Sequence, residues 1–150
     1  MSIVYRNAKV ISNEEISKDI YKLVVESNEE IKSGQFYMLK LNGATFLPRP
    51  ISICEKTKDE LTFLYAVVGN GTREYTKLKK NDEISLTGPL GNGFDLEKSC
   101  GKVALVAGGI GTAPMLELAK KLRERSPKQK IDLYAGFRDD IYLIEELKAY

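Results

Sequence analysis

The residues best suited to chemistry in this sequence are glycines rather than acids, bases or nucleophiles. Gly108-Gly109-Ile110-Gly111-Thr112-Ala113-Pro114 separates the apolar run Val103 to Ala107 from a stretch with helical spacing. Glycines at a strand-to-helix turn let the backbone approach a pyrophosphate, and the helix N-terminus offers unpaired N–H groups and a positive dipole end. The spacing is not G-x-G-x-x-G, so the turn departs from the standard dinucleotide fingerprint, and a tight ligand-free βα turn is the competing reading. A second candidate is Arg49-Pro50-Ile51-Ser52 at the entry of a β-rich run. An arginine supplies charged donors for a phosphate, proline sets the approach of the chain, and a serine hydroxyl can bond a ring edge. A third is Gly69-Asn70-Gly71-Thr72, which leads into a short helical stretch and can turn backbone N–H groups toward a second phosphate. Taken alone, this stretch reads more simply as a plain β-turn. Gly88 to Phe94, GPLGNGF, reads as a sharply turning loop between two regions.

Composition narrows the chemistry further. With no histidine among 150 residues, a His-bearing triad, an imidazole proton shuttle and a histidine-ligated zinc site are all ruled out for this stretch of chain. Cys54 and Cys100 are too few to hold an iron–sulfur cluster alone, since such clusters usually need four thiolates. Cys54 reads as a buried structural thiol and Cys100 as a small loop residue. Lys+Arg at 23 against Asp+Glu at 21 leaves a net charge of +2, with both signs interleaved. No nucleic-acid footprint is expected from that balance, and KLKK at Lys77 to Lys80 reads as a solvated face. The polar N-terminus lacks the apolar core of a secretory signal, and no apolar run approaches the roughly 20 residues that cross a bilayer. The expected setting is the cytoplasm, with reduced thiols and no membrane contact.

The elements that must position these motifs fall into two textures. Ile20 to Glu26, Phe36 to Leu41, Ile51 to Cys54, Leu61 to Val68 and Glu83 to Thr87 are short β-rich runs broken by turn residues. They predict an antiparallel barrel or sandwich over residues 1–99, with one short helix at Thr72 to Lys79. From residue 100 the pattern is βαβα. Val103 to Ala107 reads as a strand buried on both faces. Thr112 is placed to cap a helix with Pro114 in its first turn. Met115, Leu118, Ala119 and Leu122 form that helix's apolar stripe, with Lys120, Lys121 and Arg123 facing out. Ile131 to Ala135 is a second strand, and Ile141 to Ala149 a second helix for which Asp139-Asp140 is a candidate cap. Two strands and two helices do not cover both faces of an open sheet, so further chain or a partner surface is expected to complete it.

Together and in this order, RPISI at Arg49 to Ile53, VVGNGT at Val67 to Thr72, GPLGNGF at Gly88 to Phe94 and AGGIGTAP at Ala107 to Pro114 resemble the electron-transfer subunit family of class B dihydroorotate dehydrogenase, in the ferredoxin–NADP reductase superfamily. The resemblance implies a six-stranded antiparallel FAD-binding barrel at 1–99, followed by the first part of a doubly wound NAD-binding α/β domain at 100–150. By the same resemblance Arg49, Pro50, Ile51 and Ser52 would hold the flavin and its phosphates. Leu64, Tyr65 and Ala66 would line FAD, largely through backbone groups, and Gly71 and Thr72 would meet the pyrophosphate. Gly109, Gly111, Thr112 and Pro114 would face NAD(H). Tyr65 and Tyr75 have two readings, as flavin or adenine stacking residues and as packing residues.

The implied activity passes electrons from dihydroorotate oxidation in a catalytic partner subunit to NAD+, in pyrimidine biosynthesis and within a heterotetramer. Hydride passes directly between nicotinamide and flavin, so no catalytic side chain is expected. The family pattern continues for about a hundred further residues, with a Cys-Gly nicotinamide motif and the cysteines of a 2Fe-2S cluster. Neither is present here, and this leaves two alternatives open. One is an electron-transfer subunit of a ferredoxin-dependent NAD(P) oxidoreductase or hydrogenase-type complex, and the other is a non-catalytic flavin-binding fragment.

Overall fold

The structure, a computed structural model, describes residues 3–44, 47–99 and 101–150. Cys100 therefore lies outside the described residues. Six strands form the first layer: β1 Val4–Ser17, β2 Ile20–Glu26, β3 Phe36–Lys40, β4 Arg49–Lys56, β5 Glu60–Ala66 and β6 Glu83–Leu90. β1 has no continuous apolar run, and its strand character shows only as alternation, with Ala8 and Val10 buried between exposed Asn7 and Lys9. Its first half pairs with β6, from Val4↔Gly88 to Lys9↔Glu83, and its second half with β2, from Val10↔Val25 to Ser17↔Ile20. One strand spanning both edges closes the sheet into a barrel of order β1-β2-β5-β4-β3-β6, which removes the exposed edges that an open sheet would carry.

The barrel is filled by inward side chains such as Leu23, Val25, Leu39, Phe63 and Leu86, with Tyr37, Tyr65 and Tyr75 fully buried among them. Gly88 and Pro89, expected in a loop, belong to β6. The ring of Tyr37 lies where a Gly88 side chain would be: a Cβ there would come within 2.5 Å of it. The turning segment is confined to the residues after Leu90, where Gly91 and Gly93 take positive φ. In the KLKK stretch Lys77 pairs with Glu74 at 2.7 Å, while Leu78 is buried in the barrel core.

A bidentate ion pair anchors the segment after β2. Arg6 on β1 donates to both carboxylate oxygens of Glu29, with Nη2 at 2.8 Å from Oε2, and Ser27 Oγ donates to the same carboxylate. Burial pushes the Glu29 carboxyl up, but the bonds from Arg6 and Ser27 together outweigh it and hold the group below 4.5. A depressed folded-state pKa adds stability above about 4.5 that is lost as pH falls through the folded value. Glu29→Gln is therefore expected to flatten the acid limb of the stability–pH curve, measured by denaturant melts between about pH 3 and 6. An unchanged limb would rule Glu29 out as the group responsible.

The second layer is a parallel pair, β7 Lys102–Gly108 and β8 Lys130–Gly136, in register from Lys102↔Lys130 to Gly108↔Gly136. Helix α2, Ala113–Arg125, lies between this pair and the outside of the barrel, where Cys54 and Leu64 join its apolar cluster. The two regions thus share this second cluster, which is distinct from the core inside the barrel. Cys54 is the buried packing thiol expected, and burial pushes it up to about 12.

Several local expectations are corrected. Helix α1 is Asn70–Tyr75 rather than Thr72 to Lys79, and α3 is only Ile144–Leu147. β7 is buried on one face alone, because α2 and α3 cover the same side. Val106 and Tyr134 on the other side are 75% and 59% exposed. Thr112 stands at the N-cap position of α2, as expected, but does not cap it through its side chain. A 3-10 turn over Gly109–Thr112 already makes that residue helical, and its hydroxyl makes no cap hydrogen bond. Asp139 and Asp140 precede α3 too far to cap it. Its N-cap is Leu143 at φ +66°, and Asp140 instead accepts from Ser17 Oγ at 3.1 Å. Among the described residues no helix is long and apolar enough to cross a membrane, and no group of three or more acidic or cysteine side chains is arranged to hold a metal.

Candidate functional site

Two neighbouring strands of the barrel part company where the sequence candidates lie. β4 and β5 pair from Lys56↔Leu61 to Ile53↔Phe63, and no pair between them continues beyond that point. Arg49 to Ser52 form one lip of the resulting seam, still held by β3 through Leu39↔Arg49 and Phe36↔Ser52. Leu64 to Ala66 form the other, held by β2 through Lys22↔Leu64 and Ile20↔Ala66. Backbone groups along both lips are left outside the ladder, and unpaired strand groups of this kind are docking sites for a ligand with polar edges. Pro50 and Ser52 are exposed on β4, whereas Ile51 packs against the barrel core.

Helix α1 brings the third motif to the same lip. The guanidinium of Arg49 lies over Gly71, so close that a Cβ on Gly71 would come within 2.5 Å of Nη2. Arg49 Nη1 donates to Leu47 C=O at 2.7 Å and Pro48 C=O at 3.4 Å, and among the described residues Nη2 makes no hydrogen bond. Thr72 acts within the turn: its Oγ1 accepts from Val68 N–H at 3.0 Å and Gly69 N–H at 3.3 Å, and donates to Gly69 C=O at 3.2 Å. The hydroxyl shapes the loop that presents Gly71. An arginine guanidinium packed over a glycine without a side chain has the charge and the open backbone that an anionic group requires, and this chemistry fits the phosphates of a flavin nucleotide.

The tyrosines resolve toward packing. Tyr65 is 1% exposed, stacks on Tyr21 at 5.5 Å between ring centres and donates to Asn13 Oδ1 at 3.1 Å. Asn13 in turn donates to the carbonyls of Tyr75 and Leu78 after α1. Leu64 points the opposite way, into the cluster around α2. Only Ala66 of the three presents its side chain to an open cleft. Tyr65→Phe is expected to lower stability by about 1 kcal/mol through the lost hydrogen bond while leaving flavin content unchanged. A tenfold fall in flavin affinity would contradict the packing role.

The glycine turn after β7 opens on a separate cleft of about 460 Å³. Gly108, Gly109 and Ile110 form one wall at the C-terminal ends of β7 and β8, and Ser17, Lys18, Ile20 and Ala66 of the barrel form the facing wall. Ligands of open α/β sheets bind at such strand ends. Phe137, Arg138 and Tyr142, beside Asp139 and Asp140, complete the cleft, with Phe137 and Tyr142 in edge contact at 4.9 Å. These three are absent from the sequence candidates. The signal available for them was the repeated Ala-Gly at the ends of both strands, Ala107-Gly108 and Ala135-Gly136, which marks the chain after β8 as a second wall. Of the predicted nucleotide residues, Gly109 lines the cleft, while Gly111 and Thr112 in the 3-10 turn and Pro114 in the first turn of α2 are not among its lining residues. Thr112 Oγ1 is fully buried with no hydrogen-bond partner.

No family model matches the chain. Solved structures share its fold. The crystal structure of an Amycolatopsis cytochrome P450 reductase superposes with a TM-score of 0.83 at 22% identity, over 99% of this chain and 50% of that one. The structure of an NADH-dependent reduced ferredoxin–NADP oxidoreductase, described in connection with flavin-based electron bifurcation, gives 0.80 at 27% identity, over 91% and 50%. The fold is that of a ferredoxin-reductase barrel followed by part of its nucleotide-binding domain. By sequence the chain is similar to the electron transfer subunit of dihydroorotate dehydrogenase B (NAD(+)). It is 55% identical over 150 residues to that of Clostridium perfringens and 44% identical over 147 residues to that of Clostridium acetobutylicum. All of this chain and 97% of it are matched, and it spans 61% and 58% of the two relatives' lengths.

Proposed function

We propose that the chain is the flavin- and nicotinamide-handling portion of an electron-transfer subunit that moves electrons from dihydroorotate oxidation in a catalytic partner subunit to NAD+. The observation that carries this reading is the 55% identity over all 150 residues to a subunit so named. Residues 1–99 would bind FAD and residues 100–150 would begin the unit that binds NAD(H). When bound, FAD exchanges two electrons with a nicotinamide and can release them singly to a one-electron carrier.

The seam supports the flavin assignment. Arg49 neutralises phosphate charge beside Gly71, Pro50 and Ser52 present the exposed face of β4, and Ala66 borders the cleft that leads toward the glycine turn. Gly109 faces that cleft directly. Gly111, Thr112 and Pro114 would act indirectly, by shaping the turn and the start of α2. No side chain of this set need gain or lose a proton. The work of the chain is to hold two ring systems near one another and keep water from between them. The partner would be the catalytic dihydroorotate dehydrogenase subunit, in a heterotetramer, with the 2Fe-2S cluster supplied outside these residues.

The test is the visible spectrum of the purified protein, acid release of its flavin, and anaerobic addition of NADH. Stoichiometric FAD that NADH bleaches is the expected result. A folded, colourless protein that takes up no added FAD would overturn the seam assignment, and a yellow one that NADH leaves unchanged would overturn the nucleotide assignment. A second reading, in which electrons go to a ferredoxin-type partner, is favoured by the 27% identity to the NADH-dependent reduced ferredoxin–NADP oxidoreductase. Co-purification with a dihydroorotate-oxidising subunit separates the two.

A further inference from the structure

The barrel and the α/β layer meet along α2, and the second turn of that helix carries a fully buried carboxylate. Glu117 is 0% exposed. Its Oε2 accepts from the backbone N–H of Lys56 at 2.8 Å, and its Oε1 is sealed from solvent without a hydrogen-bond partner. The ammonium groups of Lys121 and Lys120 stand 3.8 Å from Oε1 and 3.9 Å from Oε2. Lys120, expected at the sequence level to face solvent, is turned inward: its Nζ donates to the backbone C=O of Lys56 at 2.7 Å and lies 3.6 Å from Glu55 Oε1. Two side chains of one helix thus hold both polar groups of one residue at the end of β4.

An apolar side chain would fill the Glu117 position without the desolvation cost of a buried charge, so the carboxylate requires a reason. Burial pushes its carboxyl up, against the Lys56 N–H and the two lysines that favour the charged form. The apolar contacts of Cys54 and Leu64 with α2 already join the two layers, but such contacts are non-directional and permit sliding. Hydrogen bonds to a defined N–H and C=O do not. β4 begins in the seam, and Ser52 is about 13 Å along the strand from Lys56. α2 begins at the glycine turn, and Thr112 is about 8 Å along the helix from Glu117. The same two elements that carry the two sites are therefore locked at one point between them.

We propose that Glu117 and Lys120 are positioning residues, forming a two-armed clamp on the Lys56 backbone that holds the nucleotide cleft in register with the flavin seam and so sets the rate of hydride transfer. The inference rests on the function proposed above. In the proposed direction the reduced flavin is oxidised and NAD+ reduced by one hydride; reduction of the flavin by NADH is the same transfer run in reverse, and neither clamp residue exchanges a proton.

The test is anaerobic stopped-flow reduction by NADH of the complete FAD-loaded protein and of its Glu117→Leu, Glu117→Gln and Lys120→Met variants. Loss of the clamp in Glu117→Leu is expected to lower the limiting reduction rate about tenfold or more, with FAD content and half-saturating NADH within about twofold of wild type. Glu117→Gln keeps an oxygen for the Lys56 N–H and is expected to recover most of the rate, which a generic packing defect would not do. Lys120→Met removes the other arm at a partly exposed position, and decides the matter by the same criterion if Glu117→Leu does not fold. Wild-type limiting rates in Glu117→Leu and Lys120→Met, or losses that only track FAD content, would overturn the clamp. A wild-type flavin that NADH does not reduce would instead overturn the nucleotide reading on which the clamp rests.

Discussion

Replacing Arg49 by alanine is expected to weaken FAD binding about 10- to 100-fold while leaving the barrel folded, because charge-assisted hydrogen bonds contribute about 1.5–3 kcal/mol. The side chain is spent locally on the carbonyls of Leu47 and Pro48, both near the surface, so its removal costs the apo fold little. Arg49→Lys restores charge without the planar fork and is expected to recover only part of the affinity. Gly71→Ala is the sharper companion. Its new Cβ would collide with the Arg49 guanidinium at 2.5 Å, and the far end of a long side chain gives way more readily than the backbone of a barrel. Alanine is also the better helix former by roughly 1 kcal/mol, and Gly71 lies within α1. Stability should hold or rise while flavin affinity falls, two changes of opposite sign from one methyl group. Titration of the apoprotein with FAD by flavin fluorescence, beside thermal melts, reads both. Unchanged affinity in Arg49→Ala and Gly71→Ala together would remove the phosphate cradle from the proposed site.

Tyr75→Ala is expected to cause the largest loss of stability, about 3–5 kcal/mol, by opening a cavity where a fully buried ring now packs. The ring meets Tyr65 edge-on at 5.7 Å, and its hydroxyl donates to Leu39 C=O at 2.6 Å, tying the end of α1 to β3 across the barrel. Six residues do not sustain a helix in water, so α1 persists because this side chain is anchored. Loss of the anchor frees Gly71 as well, and flavin affinity should fall in conditions where the barrel remains folded. Tyr75→Phe retains the packing and gives up one hydrogen bond, so its expected cost is about 1 kcal/mol. Denaturant melts of the two variants measure the difference. A loss below about 1 kcal/mol in Tyr75→Ala would mean that the helix is held by other contacts.

These expectations depend unequally on sequence and on structure. The change of texture near residue 100, the buried-strand run Val103 to Ala107 and the glycine turn after it are local properties, written in periodicity and in residue type. So are the separate motifs at Arg49 to Ser52 and at Gly69 to Thr72. β1 was harder to read, since its inward positions are shared between two pairings and its second half is polar. What no local pattern contains is which faces meet. Arg49 and Gly71 become one cradle only when α1 folds back over the lip of β4. Leu64 and Tyr65, adjacent in the chain, are sent into different cores because successive strand residues point to opposite faces and the barrel has packing on both. Glu117 and Lys120 look like solvent-facing charges of an amphipathic helix, and the end of β4, sixty-one residues before Glu117, turns them into partners of its backbone. Periodicity assigns side chains to a face of their own element; only the tertiary structure decides what that face is pressed against, and so whether a charge there is solvated or held.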